Sequence, residues 1–175
     1  MVATRIGVTG HRLLAPHPDL ATAVDDALAA IELRRAAPWV LVSGFAEGAD
    51  ELVAVRALVR AWELEALLPL PVDEFATDME RPADFRRLLE HATTVEAVTP
   101  AVDRPECYRA QGLAMVERCD ELIALWNGGE ARGPGGTGEI VAAARDGRLT
   151  LTWIEAADAR DGVTREPVTH VEGLT

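Results

Sequence analysis

Arg5-Ile6-Gly7-Val8-Thr9-Gly10-His11-Arg12 (RIGVTGHR) sets the pattern from which the fold is read: a short apolar run that stops at glycine and gives way to polar residues. Residues 5–9 predict a buried strand ending at Gly10. After Pro16 and Pro18, residues 19–35 predict a helix with Leu20, Val24, Leu28 and Ile31 on one face. The alternation then recurs. Residues 39–43 (WVLVS) predict a second strand stopped by Gly44, residues 50–62 a helix with Leu52, Val53, Val55 and Val59 inward, and residues 64–70 a third strand closed by Pro69 and Pro71. A loop carrying Asp73, Glu74 and Asp78 leads to a short helix at about 83–91 and a fourth strand at 94–98. Residues 104–118 predict a helix and 121–126 (ELIALW) a fifth strand. The glycine-rich turn 127–136 opens a helix at 137–145, and 149–154 is the last clear strand. The polar stretch after Ala156 reads as peripheral. Near-continuous apolar strands alternating with helices predict an α/β, Rossmann-like doubly wound, mostly parallel sheet with helices on both faces. No internal repeat or linker divides the 175 residues. They suit one domain with a core at about 5–154, able to bury roughly 70% of its unfolded surface.

Seventeen basic against 29 acidic residues give a net charge of −12. A protein that grips nucleic acid needs a basic footprint to release condensed counterions, so no nucleic-acid partner is expected. The same charge repels anions at long range, and any phosphate site must be built locally from backbone N–H groups and a few arginines. No apolar run approaches the roughly 20 residues of a membrane span, and the opening residues carry no signal-peptide pattern. A cytoplasmic chain with no membrane partner is expected. Cys107 and Cys119 lack metal-site spacing and read as free thiols in a reducing compartment.

Ligands of open α/β sheets lie beyond the carboxyl ends of the strands, at a switch in strand order, and three turns place special residues there. In the first, Gly10 permits a tight bend or close backbone approach. Thr9 and Arg12 offer donors to a phosphate, and His11 a further donor or a proton shuttle. A bare turn of exposed polar residues is the alternative. In the second, Ser43, Gly44, Ala46 and Gly48 precede a helix and form a plausible anion cradle, with Asp50 either in the site or capping the helix. Glu47 would hold a ribose hydroxyl or position a basic residue such as Arg12.

The third turn is the densest: Gly128-Gly129-Glu130-Ala131-Arg132-Gly133-Pro134-Gly135-Gly136-Thr137-Gly138-Glu139. Its glycines let backbone amides converge on a phosphate, and Thr137 adds a hydroxyl at the helix start. Gly133 and Gly138 have P-loop spacing, but Glu139-Ile140 stands where Lys-Ser/Thr is required, which excludes a Walker-type ATPase. Gly133, Gly135 and Gly138 also fit G-x-G-x-x-G, a fingerprint that belongs to the first strand-helix turn and not a late one. Trp126 and Tyr108 are candidates for stacking on a base, with core packing the alternative for Trp126. Asp120 reads as ending the helix before the fifth strand. Asp73, Glu74 and Asp78 read as a solvated loop before a metal site. Neither a Ser-His-Asp order nor an HExxH motif is present, and no cofactor is read from the sequence.

The motifs RIGVTGHR, LVSGFAEGAD, CDELIALWNG and GPGGTGE, in this order over residues 5–154, resemble the SLOG superfamily of Rossmann-like domains. That superfamily joins the DNA-processing protein A (Smf) group to the Lonely Guy phosphoribohydrolases. The resemblance implies a pocket for a nucleotide-derived small molecule and association into a homodimer. In the Lonely Guy branch the motif PGGxGTxxE supplies a glutamate which, with an arginine, serves N-glycosidic cleavage of a nucleoside monophosphate. Here Glu139 follows Thr137 by two residues instead of three, which turns a helical side chain by about 200° instead of 300°. Two functions are therefore carried forward. One is a binding or sensor domain, with phosphate on residues 133–137 (Gly133, Gly135, Gly136, Thr137) and the 9–12 turn, ribose near 43–47, and the base partly stacked. The other is a phosphoribohydrolase in which Glu139 or Glu47 assists attack at the anomeric carbon while Arg12 or Arg132 holds the phosphate. A scaffold with no ligand is the third possibility.

Overall fold

The computed structural model describes residues 2–98 and 103–174. In chain order its elements are β1 (Thr4–Gly10), α1 (Leu20–Arg34), β2 (Trp39–Ser43), α2 (Ala49–Val59), β3 (Glu63–Leu68), α3 (Val72–Ala76), α4 (Pro82–Leu89), β4 (Ala92–Ala97), α5 (Arg104–Arg118), β5 (Glu121–Trp126), α6 (Thr137–Asp146), β6 (Thr150–Glu155) and β7 (Thr169–Glu172). The strands make one sheet in the order β4-β3-β2-β1-β5-β6-β7. All neighbours run parallel except β7, which pairs antiparallel with β6. The chain winds outward from β1 to β4, then crosses back to place β5 on the other side of β1. The strand order therefore switches between β1 and β5, where Thr9 pairs with Ala124 and Gly10 with Leu125.

Both faces of the sheet are covered, as near-continuous apolar strands require. Ile6, Val8, Ile123 and Leu125 pack with Leu20, Val24, Leu28 and Ile31 of α1 and Val53 of α2. Leu122, Ala124 and Trp126 point to the other face, against Met115 and Val116 of α5 and Ile140 and Val141 of α6. Side chains alternating with period two thus feed two cores from one strand. Glu121 is the exception in β5. Its fully buried carboxylate accepts from Arg34 Nε (3.1 Å) and a terminal nitrogen of the same guanidinium (2.7 Å), and from Arg35 Nε at 2.7 Å. The fork ties the end of α1 to the foot of β5.

The inward face of α2 differs from the sequence expectation. Val53 is buried, but with Ala49, Ala54 and Ala57, while Val55 and Val59 are 42% and 70% exposed. The cause is distance. A Cβ on Gly10 would lie 2.4 Å from the Ala49 Cβ and 2.5 Å from the Leu125 carbonyl oxygen, so only small residues fit where α2 meets β1. Strand β4 begins two residues earlier than its 94–98 expectation, and the helix α3 and strand β7 lie in segments that carry no clear period. The stretch after Ala156, peripheral by composition, contributes β7 and the buried Ala157 and Asp158.

Overpacking at such a contact costs about 1–3 kcal/mol. Gly10→Ala is therefore expected to lower unfolding free energy by about 2 kcal/mol or more, whereas Gly133→Ala, whose Cβ would meet nothing within 4 Å, stays within about 0.5 kcal/mol. Urea unfolding of the two variants measures the difference.

Candidate ligand cavity at the strand-order switch

The carboxyl ends of β1 and β5 frame a cavity of about 580 Å³, inside the usual range for small-molecule sites. Thr9, Gly10, His11 and Arg12 reach it from β1, and Trp126 and Asn127 from β5. The glycine-rich turn contributes Arg132, Gly135, Gly136 and Thr137, and Glu47, Asp78 and Arg160 close the rim. Gly44, Ala46 and Asp50 line a smaller recess beneath it. Ser43, Gly48 and Gly133 line neither space.

One carboxylate that the sequence reading passed over organises this rim. Asp158 is fully buried; its Oδ1 accepts from Arg160 Nε and from the Arg160 backbone N–H, both at 2.9 Å. Its Oδ2 stands 3.6 Å from His11 Nδ1 and 3.7 Å from an Arg132 guanidinium nitrogen. Hydrogen bonds from Arg160 hold the Asp158 carboxyl down at about 2. The His11 pKa is lowered as well: burial pushes it down, against the opposing pull of Asp158. Its Nε2 accepts from the Asn127 backbone N–H at 3.1 Å, which leaves the proton on Nδ1, toward Asp158. Both ring nitrogens are thus engaged in joining β1, β5 and the 158–161 turn. Arg132 is anchored as well, through Asp161 at 2.5 Å.

The second turn is closed on itself. The His11 carbonyl oxygen accepts the Ala49 N–H at 3.0 Å, so the N-terminus of α2 already has an acceptor. Gly48 makes the crossing possible: its φ is +86°, and a Cβ there would stand 2.3 Å from the Arg12 carbonyl oxygen. The Asp50 carboxylate fills the nest above, accepting from Ser43 Oγ at 3.1 Å beside the amides of Gly44 and Ala46. Burial pushes the Asp50 carboxyl up to about 6 despite these bonds and the nearby Arg12. Glu47 accepts from the backbone N–H groups of Glu80 (3.1 Å) and Arg81, fixing the loop before α4.

The third turn is open. Among the described residues the amides of Thr137 and Gly138 and the Thr137 hydroxyl have no protein partner, and all three belong to cavity-lining residues at the N-terminus of α6. Gly135 (φ +73°) packs directly on α5, where a Cβ would lie 2.6 Å from the Arg109 nitrogen. Glu139 does not reach the main cavity. It accepts from Arg109 Nε at 2.5 Å and from the Gly135 N–H at 2.8 Å, bonds that hold its carboxyl below the ordinary range, and it lines a shallow groove that adjoins the cavity at Trp126, Gly129 and Gly138. Counted from Pro134, the PGGxGTxxE pattern puts Glu139 at the threonine and Ala142 at the glutamate.

Arg12 donates to the Asp78 carbonyl oxygen at 3.0 Å. The Asp78 carboxylate accepts from Arg104 (3.0 Å) and from the Tyr108 hydroxyl; burial and this acceptor push the phenol up to about 12. Asp73 pairs with Arg86 and Glu74 with Arg104, so the loop acids are held in ion pairs. Trp126 is only 7% exposed and tilts against Trp153 at 5.5 Å between ring centroids, so most of its surface is spent on core packing. Asp120 accepts the Arg5 N–H at 2.8 Å, stapling the head of β5 to β1.

No protein-family model and no curated protein matches the sequence. Solved structures do resemble it. DNA processing protein A from Streptococcus pneumoniae superposes with a TM-score of 0.61 at 18% identity, over 86% of this chain and 50% of that one. The same protein from Helicobacter pylori, described for its single-stranded DNA binding mode, gives 0.58 at 14% identity, over 90% and 70%. The protein TM1055 gives 0.50 at 13% identity, over 85% and 72%. The chain thus spans half the length of the pneumococcal protein. At these identities the likeness is one of fold alone: a Rossmann-like α/β domain with a mostly parallel sheet.

The raised Asp50 has a consequence for stability. A carboxyl near 6 in the fold and 3.8 when unfolded favours the fold most below about 4 and less as pH rises through 6, with a ceiling of about 3 kcal/mol. Asp50→Asn is expected to be more stable than the parent at pH 8 and to lack the decline between pH 4 and 7, as read by urea unfolding across that range. Asp158→Ala strands His11, Arg132 and Arg160 beside a vacated buried site. It is expected to cost about 3 kcal/mol or more in the same assay.

Proposed function

We propose that this chain binds a nucleotide-derived phosphomonoester in the cavity between β1 and β5 and leaves its N-glycosidic bond intact. The observation that carries the reading is the N-terminus of α6: two cavity-facing residues with unpartnered amides and a free hydroxyl, at the positive end of a helix dipole. Arg12, Arg132 and Arg160 stand on the same rim and supply the local positive field that a chain of net charge −12 lacks elsewhere. The α2 turn offers nothing comparable, because His11 and Asp50 already occupy it.

Two features favour a small ligand over a nucleic acid. The rim interleaves its arginines with Glu47, Asp78, Glu80 and Glu130, where a nucleic-acid backbone would call for a basic footprint. Hydrolysis is disfavoured by the state of the two carboxylates the sequence offers. Glu139 is bound by Arg109 and lines no part of the main cavity, and Glu47 is bound by two backbone amides. A general base must have a lone pair within reach of the attacking water; each oxygen of Glu47, on the rim, already holds one backbone amide.

Thermal unfolding with a panel of nucleoside 5′-monophosphates, nucleosides and inorganic phosphate tests this. At about 100 times its dissociation constant a monophosphate adds about 2.7 kcal/mol of stability, the matching nucleoside much less. Thr137→Glu, which sets a carboxylate at the helix N-terminus, is expected to abolish the shift. Chromatography of the same mixtures should show no free base; its release would contradict the binding-only reading.

A further inference from the structure

The sheet ends on one side at β4, and this strand is unlike its parallel neighbours. Four successive residues, Thr93, Thr94, Val95 and Glu96, are exposed, so helices cover neither of its faces there. Strands of a parallel sheet are normally buried on both. The outer edge of β4 is open as well. One irregularity at its start leaves Thr93 without an opposite number in β3, its Oγ1 donating to the Leu64 carbonyl oxygen at 3.0 Å; from Thr94 to Ala97 the pairing is regular. The Val98 N–H donates to the Leu68 carbonyl oxygen, and by the period of two Glu96 and Thr94 also turn toward β3. The N–H and C=O groups of Val95 and Ala97 therefore point outward, and among the described residues nothing pairs with them.

An open edge is a template for another strand, and proteins guard such edges with charge, proline or cover. The far edge is guarded in this way: β7 carries His170 and Glu172, paired with Glu155 and Arg145. β4 has no proline, lysine or arginine, and its single charge, Glu96, is cancelled by two Arg118 nitrogens at 2.8 Å each. Its Thr-Thr-Val run is β-branched throughout, which suits pairing. We infer that β4 pairs antiparallel with β4 of a second copy of this chain, about a two-fold axis between the two Val95 residues, so that two seven-stranded sheets become one. Two features favour a copy over an unrelated strand. The first is that the strand complements itself. With Val95 opposite Val95, each outward N–H meets the other's outward carbonyl, and Thr94 lies opposite Glu96 twice over, a hydroxyl donor against a carboxylate. The second is charge. Chains of net charge −12 repel one another, and they meet at lowest cost along a stretch whose only carboxylate is already neutralised. A two-fold contact of this kind closes after two copies and leaves no β4 edge free.

Sedimentation equilibrium tests the pairing, and the parent is expected to show twice the 18.8 kDa mass of the chain. Val95→Pro removes an outward N–H and leaves the ladder to β3 in place, a change that an edge strand tolerates. It is expected to raise the dimer dissociation constant by about tenfold or more. Val95→Lys sets two ammonium groups against each other at the axis and is expected to do the same; it serves if the proline variant melts early, as melting temperature verifies. Val59→Lys, on the exposed side of α2, is expected to leave the dimer intact. In hydrogen exchange the Val95 and Ala97 amides should gain protection as protein concentration rises, while the Glu96 amide, already turned to β3, should change little. A parent that stays monomeric overturns the pairing, and so does a dimer that survives both Val95 variants. A dimer lost in Val95→Lys but kept in a folded Val95→Pro also overturns it, since side chains and not backbone would then make the contact. Loss of the dimer in Val59→Lys alone puts the interface on the helices and overturns it too.

Discussion

The hydrogen bond from the Ala49 amide to the His11 carbonyl oxygen joins the first helix-bearing turn of the sheet to the second. It forms because Gly10 lets β1 approach α2 to within the radius of a methyl group, and because Gly48 turns the backbone through a left-handed conformation under two carbonyls. A helix N-terminus that faces a cleft is an anion site by default; here α2 is capped by the protein's own carbonyl, and the nest above it by the Asp50 carboxylate. The opening at the strand-order switch is therefore served by α6 instead, whose glycine turn folds against α5 and leaves its leading amides uncovered.

Around that opening, a molecule with a large excess of negative charge keeps a cluster of cations. Asp158 makes this possible by standing behind them. A buried carboxylate without partners would be costly, but Arg160, Arg132 and His11 surround it from three segments far apart in sequence. The cations are thereby held at the rim in fixed directions, with side-chain entropy already spent before any ligand arrives. On the opposite edge Asp78 does the same for Arg104 and Tyr108, with Arg12 on its carbonyl.

Most of the architecture was legible in the sequence. The face of α1 follows a strict 3.6-residue period through Leu20, Val24, Leu28 and Ile31, and all four are buried where the period puts them. The α2 face was not legible, because valine and alanine exchanged roles: the close approach at Gly10 selects for small side chains, and hydropathy alone ranks them the other way. The turns of β1 and β5 were identifiable by glycine density. The division of labour between them was not, since it depends on which backbone amides meet carbonyls across the sheet. Asp158 lay in a polar stretch with no period, its partners at positions 11, 132 and 160, which the isolated bridge between Leu14 and Asp158 and the Arg132–Asp161 pair bring together. Glu139 was noticed for its spacing from Thr137, but in register with Pro134 it stands at the threonine position of the motif, and its carboxylate is taken up by Arg109 and the Gly135 amide.

Backbone amide NMR of the uniformly labelled protein, titrated with the nucleoside 5′-monophosphate that stabilises it most, examines the proposed division most directly. The amides of Thr137 and Gly138 should show the largest shifts and gain protection from exchange, with smaller changes at Gly10 and none at Ala49, whose partner is the His11 carbonyl. Shifts centred on Ala49 and Gly48, with Thr137 and Gly138 unmoved, would place the anion on α2 and contradict the account.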